Sequence, residues 1–183
     1  MAAPTGTAPR VGILIGSDSD LGAMQEAGRI LAEFGVPYEI TIASAHRSPS
    51  RVEAYARDAE PRGIQVLIAG AGGAAHLAGV LAARTVLPVI GVPLDSSALR
   101  GMDALLSTVQ MPGGVPVATV GIGSARNAAL LAVQILATSD AALRDRYRAY
   151  KTRLGSEVEE KAARLASSPE AGMAPPRIRR ETR

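Results

Sequence analysis

One imidazole stands beside one fixed cation in the stretch Ser44-Ala45-His46-Arg47-Ser48-Pro49. His46 can give and take a proton near neutrality, whereas Arg47 keeps its charge at any physiological pH. Ser48 is placed to be a helix N-cap and Pro49 the first helical residue, so the guanidinium lies beside a helix start, a good place for an anion. Upstream, Gly16-Ser17-Asp18-Ser19-Asp20 brings hydroxyls, N–H groups and carboxylates to another helix start. There Asp18 or Ser19 is a simple N-cap, or Ser17 and Ser19 donate to a phosphate or carboxylate while Asp20 accepts from sugar hydroxyls. Downstream, Gly70-Ala71-Gly72-Gly73-Ala74-Ala75 fits G-x-G-x-x-A between a strand and a helix, and Asp95 follows past the next strand. A nicotinamide dinucleotide site has that spacing. So do glycines that let a helix pack closely on a sheet, and so does a nest of N–H groups around a small carboxylate. His76 opens an Ala/Leu helix, where a packed, hydrogen-bonded histidine is the plainer reading. Gln110-Met111-Pro112-Gly113-Gly114 is a Pro-Gly turn or a cover over a ligand.

The elements that must carry these loops are legible as alternating patterns. Val11 to Ile15, Tyr38 to Ala43, Ile64 to Ala69, Pro88 to Val92 and Val117 to Val120 are short apolar runs that read as strands. Between them lie helical patterns. The first is carried by Met24, Ala27, Ile30, Leu31 and Phe34 and stopped by Gly35, and the second, over residues 50 to 60, is stopped by Pro61. An Ala-rich helix runs to about Arg84, a helix interrupted near Gly101 lies within Ser96 to Val109, and two more span Ala125 to Ala137 and Asp140 to Leu165. Nearly continuous Val, Ile and Leu in each strand predicts a sheet covered on both faces: a three-layer α/β sandwich around a five-stranded parallel, flavodoxin-like sheet. Ligands of such sheets sit outside the carboxyl ends of the strands, where the loops of Ser17, His46 and Gly72 converge. Residues 10–166 are expected to form a single catalytic domain ending in the long helix, with 1–9 a disordered leader and 167–183 a disordered basic tail.

Composition removes several alternatives. The chain has no Cys and two His among 183 residues, so no disulfide framework or thiolate metal site is available, and a structural zinc site is nearly excluded. Absence of Cys also fits a reducing cytoplasm. Net charge is +3, with much of the excess in Arg177 to Arg183, and aromatics are 3%, which leaves no stacking platform for nucleic acid. No apolar run reaches membrane-spanning length, and residues 1 to 9 lack the basic start and apolar core of a signal peptide. Ala-rich helices expose more apolar surface than one small domain can hide, which points to burial between subunits.

Taken together, Gly16 to Asp20, Ser44 to Pro49, Ala69 to Leu77, Pro88-Val89-Ile90-Gly91-Val92-Pro93 and Ser107-Thr108-Val109-Gln110-Met111-Pro112 resemble one family. It is that of the catalytic subunit of phosphoribosylaminoimidazole carboxylase, in its 5-(carboxyamino)imidazole ribonucleotide mutase form. The resemblance covers about residues 10 to 165. It implies an isomerase of purine biosynthesis on a flavodoxin-like fold, assembled as a homo-octamer and using no metal or organic cofactor. By motif it makes His46 the general acid and base. It places Ser17, Asp20 and Arg47 on the ribose phosphate half of the substrate and Ser44 with the Gly72 to Ala75 backbone around the aminoimidazole and carboxylate, with Ser19 and His76 as further substrate-binding residues. Gly70 to Leu77 looks like the mutase form rather than the animal form that uses free carbon dioxide. Two departures are small: Ala78 stands where the family has Pro after His-Leu, and Ser48 where it usually has Thr. A non-catalytic ribonucleotide-binding module of the same fold is the remaining alternative.

Overall fold

A computed structural model describes residues 8–168. Its sheet has five parallel strands in the order β2-β1-β3-β4-β5. They are β1 (Val11–Ile15), β2 (Tyr38–Ile42), β3 (Val66–Gly72), β4 (Val89–Leu94) and β5 (Ala118–Thr119). The helices are α1 (Leu21–Glu33), α2 (Pro49–Ala59), α3 (Leu77–Ala82), α4 (Met102–Val109), α5 (Ala125–Ala137) and α6 (Ala141–Ala166). This is the expected flavodoxin-like sandwich. The leader and tail expected at the termini fall, but for residues 8, 9, 167 and 168, outside the described residues.

Register lines Ile40, Ile13, Ile68, Ile90 and Ala118 up across all five strands. Because side chains alternate along a strand, Val11, Ile13 and Ile15 face one side with Val66, Ile68 and Val92, where α1, α5 and α6 cover them. Leu14, Leu67 and Ala69 face the other side, under Val52 and Ala56 of α2 and Leu77 and Leu81 of α3. On that face Gly91 leaves room for Thr108 of α4. Gly35 ends α1 as expected: at φ +67 it lets its own N–H reach Ala32 O and the Val36 N–H reach Leu31 O, the paired bonds of a Schellman motif. Asp140 caps α6 by accepting from the Leu143 N–H and pairs with Arg10 at 3.0 Å, which ties the last helix to the chain entering β1.

Tyr55 of α2 lies over Gly12 and donates to Glu39 Oε1 at 2.7 Å, while Arg62 pairs with the same carboxylate. A Cβ on Gly12 would meet the Tyr55 oxygen at 2.3 Å. Gly12→Ala is therefore expected to cost about 1–3 kcal/mol of stability through overpacking and the displaced hydrogen bond, read as a lowered denaturant midpoint. An unchanged midpoint would show that Tyr55 can leave its place without loss.

Several boundaries differ from the sequence reading. β3 starts at Val66 and runs through Gly72, because paired strands on both sides carry it past the apolar run. Gly70 and Gly72 are thus strand residues rather than the turn of a dinucleotide loop, and the helix that follows starts only at Leu77. β5, on the sheet edge, keeps two residues. Gln110 to Gly114 leads from α4 into β5, and Met111 packs near Gly79 of α3.

Candidate active site

Each of the three loops leaves the carboxyl end of a strand and returns through a helix. After β1 the chain makes a tight 3-10 turn over Asp18–Asp20 with Ser17 extended at its N-cap, so Ser17, and neither Asp18 nor Ser19, opens the turn. The Ser17 hydroxyl and the Ser19 N–H both donate to Asp18 Oδ1 at 3.0 Å, and these bonds hold the Asp18 carboxyl below its ordinary pKa. Asp20 is buried and accepts from the Ser17 N–H at 3.1 Å. Burial pushes its carboxyl above the ordinary value, against the pull of the Ser17 and Ser19 hydrogen bonds and of Arg47. The folded state thus holds this proton more tightly than the unfolded chain, so ionising Asp20 as pH rises costs stability. A ligand hydroxyl donating to Asp20 would offset that cost.

After β2 the second loop is braced from within. Ser48 stands at the N-cap of α2 with Pro49 first in the helix, as expected, but its hydroxyl does not cap. It accepts from the Ser44 N–H at 3.0 Å and donates to Ser44 O at 3.2 Å, closing the loop on itself. Ser44 Oγ accepts from the Arg47 N–H at 3.2 Å, and Arg47 Nη2 donates to Gly16 O at 2.9 Å. The guanidinium therefore bridges the first two loops and stays exposed to solvent.

Beyond β3, Gly73 and Ala75 both take positive φ, +60 and +37. For a buried alanine this conformation costs about 1–3 kcal/mol, held by surrounding structure including the Ala75 N–H donating to Gly72 O. The turn delivers His76, whose Nδ1 lies 2.8 Å from His46 Nε2. Gly72 must be bare, because a Cβ there would fall 1.8 Å from Ser96 Oγ. Ser96 closes the wall from the loop after β4. It is a site residue the sequence reading missed; its only signal was its place just past a strand at the carboxyl edge.

Together these loops enclose an open cavity of about 210 Å³. Ser17, Ser19, Asp20 and Arg47 line one part, and Ser44, His46, Gly72, Ala75, His76 and Ser96 line the rest. Ser17, Ser19, Asp20, Ser44, His46, Arg47, Gly72, Ala75 and His76, the candidate catalytic and binding residues of the sequence analysis, all line this one cavity, whereas Asp18, Ser48 and Gly70 do not. Asp95 is not among its lining residues. Among the described residues no group of three or more His, Cys, Asp or Glu stands together to hold a metal, and no helix is long and apolar enough to cross a membrane.

The family model described as AIR carboxylase matches residues 10–157. The chain belongs to the AIR carboxylase family. It is 62% identical over 157 residues to a protein of Pyrococcus horikoshii named N5-carboxyaminoimidazole ribonucleotide mutase, covering 86% of this chain and 89% of that one. A protein of the same name from Thermotoga maritima is 59% identical over 157 residues, covering 86% and 92%. The crystal structure of Treponema denticola PurE superposes with a TM-score of 0.79 at 30% identity, covering 86% of this chain and 98% of that one. The matched span of the AIR carboxylase family thus contains all three loops.

Proposed function

We propose that this chain is an N5-carboxyaminoimidazole ribonucleotide mutase of purine biosynthesis. It converts the 5-carboxyamino ribonucleotide to the 4-carboxy-5-amino isomer, in the cytoplasm and without metal or organic cofactor. The observation that carries this reading is the meeting of His46 with a hydroxyl- and Arg47-lined half-site in one cavity of a chain so similar to proteins of that name.

Ser17, Ser19 and Arg47 hold the phosphate, and Asp20 accepts from the ribose. Ser44 and the bare backbone around Gly72 and Ala75 flank the aminoimidazole and its carboxylate, with His76 beside them. His46 gives a proton to the carbamate nitrogen; the nitrogen–carbon bond breaks with its electron pair staying on nitrogen, and carbon dioxide is released. Carbon 4 of the electron-rich ring then forms a bond to that carbon dioxide. His46 removes the proton left on carbon 4, which restores the aromatic ring and the protonated imidazole. No proton is consumed over the cycle. Small Gly and Ala walls keep the carbon dioxide next to the carbon that must capture it.

Purified protein given the carboxyamino ribonucleotide, with no added metal or cofactor, is expected to form the 4-carboxy product. Tight binding with no turnover would favour the non-catalytic module instead. Assembly as a homo-octamer is part of the proposal. It is supported by the exposed side chains Met102, Leu106 and Val109, spaced to form an apolar stripe along α4, and by exposed Leu99 in the turn before it. Light scattering is expected to give about eight times 18.8 kDa; a monomer at micromolar concentration would refute the octamer.

A further inference from the structure

His46 and His76 come from different loops, 30 residues apart, and neither motif refers to the other. Yet His46 Nε2 and His76 Nδ1 stand 2.8 Å apart, with ring centroids 4.9 Å apart and planes 77° to one another. That separation requires one hydrogen between the nitrogens, since two lone pairs would repel and two N–H groups would collide. One ring must donate and the other accept.

The acid–base role of His46 proposed above, on which this inference rests, fixes the direction. When His46 is the acid it is an imidazolium, and both its nitrogens carry hydrogen. Nε2 must then donate, and Nδ1 of His76 must be bare, so His76 is neutral with its hydrogen on Nε2. We propose that His76 is a positioning residue: it accepts the Nε2–H of His46 throughout turnover and confines proton exchange with substrate to His46 Nδ1.

A single nitrogen then serves both steps. Nδ1 loses its hydrogen to the carbamate nitrogen and is left with a lone pair, while Nε2–H stays pinned to His76. The same lone pair is in place to take the proton from carbon 4. Without an acceptor at position 76, neutral His46 is free to carry its hydrogen on either nitrogen and to rotate, and part of the population presents N–H where a base is needed.

Kinetics of two variants and one spectrum test this. His76→Leu removes the acceptor and is expected to lower kcat about 10- to 100-fold, the range seen when the partner orienting a metal-bound imidazole is lost, with KM within about threefold. His76→Asn places an amide oxygen near the position of Nδ1 and is expected to recover most of that loss. Equal damage in both variants, no loss in His76→Leu, or a loss confined to KM would overturn the positioning role. With two histidines in the chain, solid-state ¹⁵N spectra of histidine-labelled full-length protein contain four ring signals, assignable through His46→Asn and His76→Asn. Neutral His46 is expected to carry hydrogen on Nε2 and to lose that preference in His76→Leu. If the wild-type protein is active but its neutral His46 carries hydrogen on Nδ1, the positioning role alone fails. If the wild-type protein does not convert the carboxyamino substrate, the acid–base reading fails and takes this inference with it, whatever the spectrum shows.

Discussion

His46→Asn is expected to bind the ribonucleotide with nearly unchanged affinity and to lose kcat by at least ~100- to 10,000-fold, the usual contribution of a general acid–base group. Asparagine is close in size to histidine and keeps a hydrogen-bonding end, and position 46 is exposed, so the loop has no packing to lose. What disappears is one of the two imidazoles that line the cavity. His76 lines the same cavity but is assigned no proton transfer with substrate in the proposed arrangement, so it is not expected to take over. Single-turnover kinetics beside a ligand titration separate the two quantities. Near-normal kcat in His46→Asn would remove His46 from the centre of the reaction.

Arg47→Ala should fail differently. The guanidinium carries the same charge before, during and after the proton transfers, so the phosphate feels it equally in ground and transition states. Its loss is expected to weaken binding by about 1–3 kcal/mol, seen mainly in KM, with kcat changed little. The bridge to Gly16 O is lost as well, so some of that weakening reflects a looser alignment of the first two loops. A variant that lost kcat as heavily as His46→Asn while keeping KM would place Arg47 in the chemistry rather than in binding.

Strand existence, order of elements and the edge where the loops gather were legible because they follow from local pattern. Val11 to Ile15 is a short apolar run stopped by Gly16, and all five of its residues are buried in the strand it forms. Boundaries were less legible where pairing decides them. Gly70 to Gly72 has the composition of a loop, and only neighbours on both sides make it strand. At the other extreme, Val117 to Val120 has a strand's composition, yet at the sheet edge only Ala118–Thr119 pair. Gln110 to Gly114 reads equally as a Pro-Gly turn or as a cover, because whether a loop can reach a site depends on which edge it occupies, a property of the whole topology. Within the site, residue types pointed to His46, Arg47, Ser17 and Asp20 because their chemistry is carried by single side chains. Ser96 and the contact between His46 and His76 were invisible for the opposite reason. Each depends on two segments distant in sequence, one of them a bare Gly72 whose missing side chain is the message.

A mutase keeps the carboxylate in the cavity between leaving nitrogen and joining carbon 4. Turnover of unlabelled carboxyamino ribonucleotide in excess ¹³C-bicarbonate, with the 4-carboxy product examined by mass spectrometry before equilibrium, measures this directly. The product is expected to keep the substrate's own carboxylate, with little label. Product carrying the label of the medium would show that free carbon dioxide is the carboxyl donor, and that the chain is a carboxylase rather than a mutase.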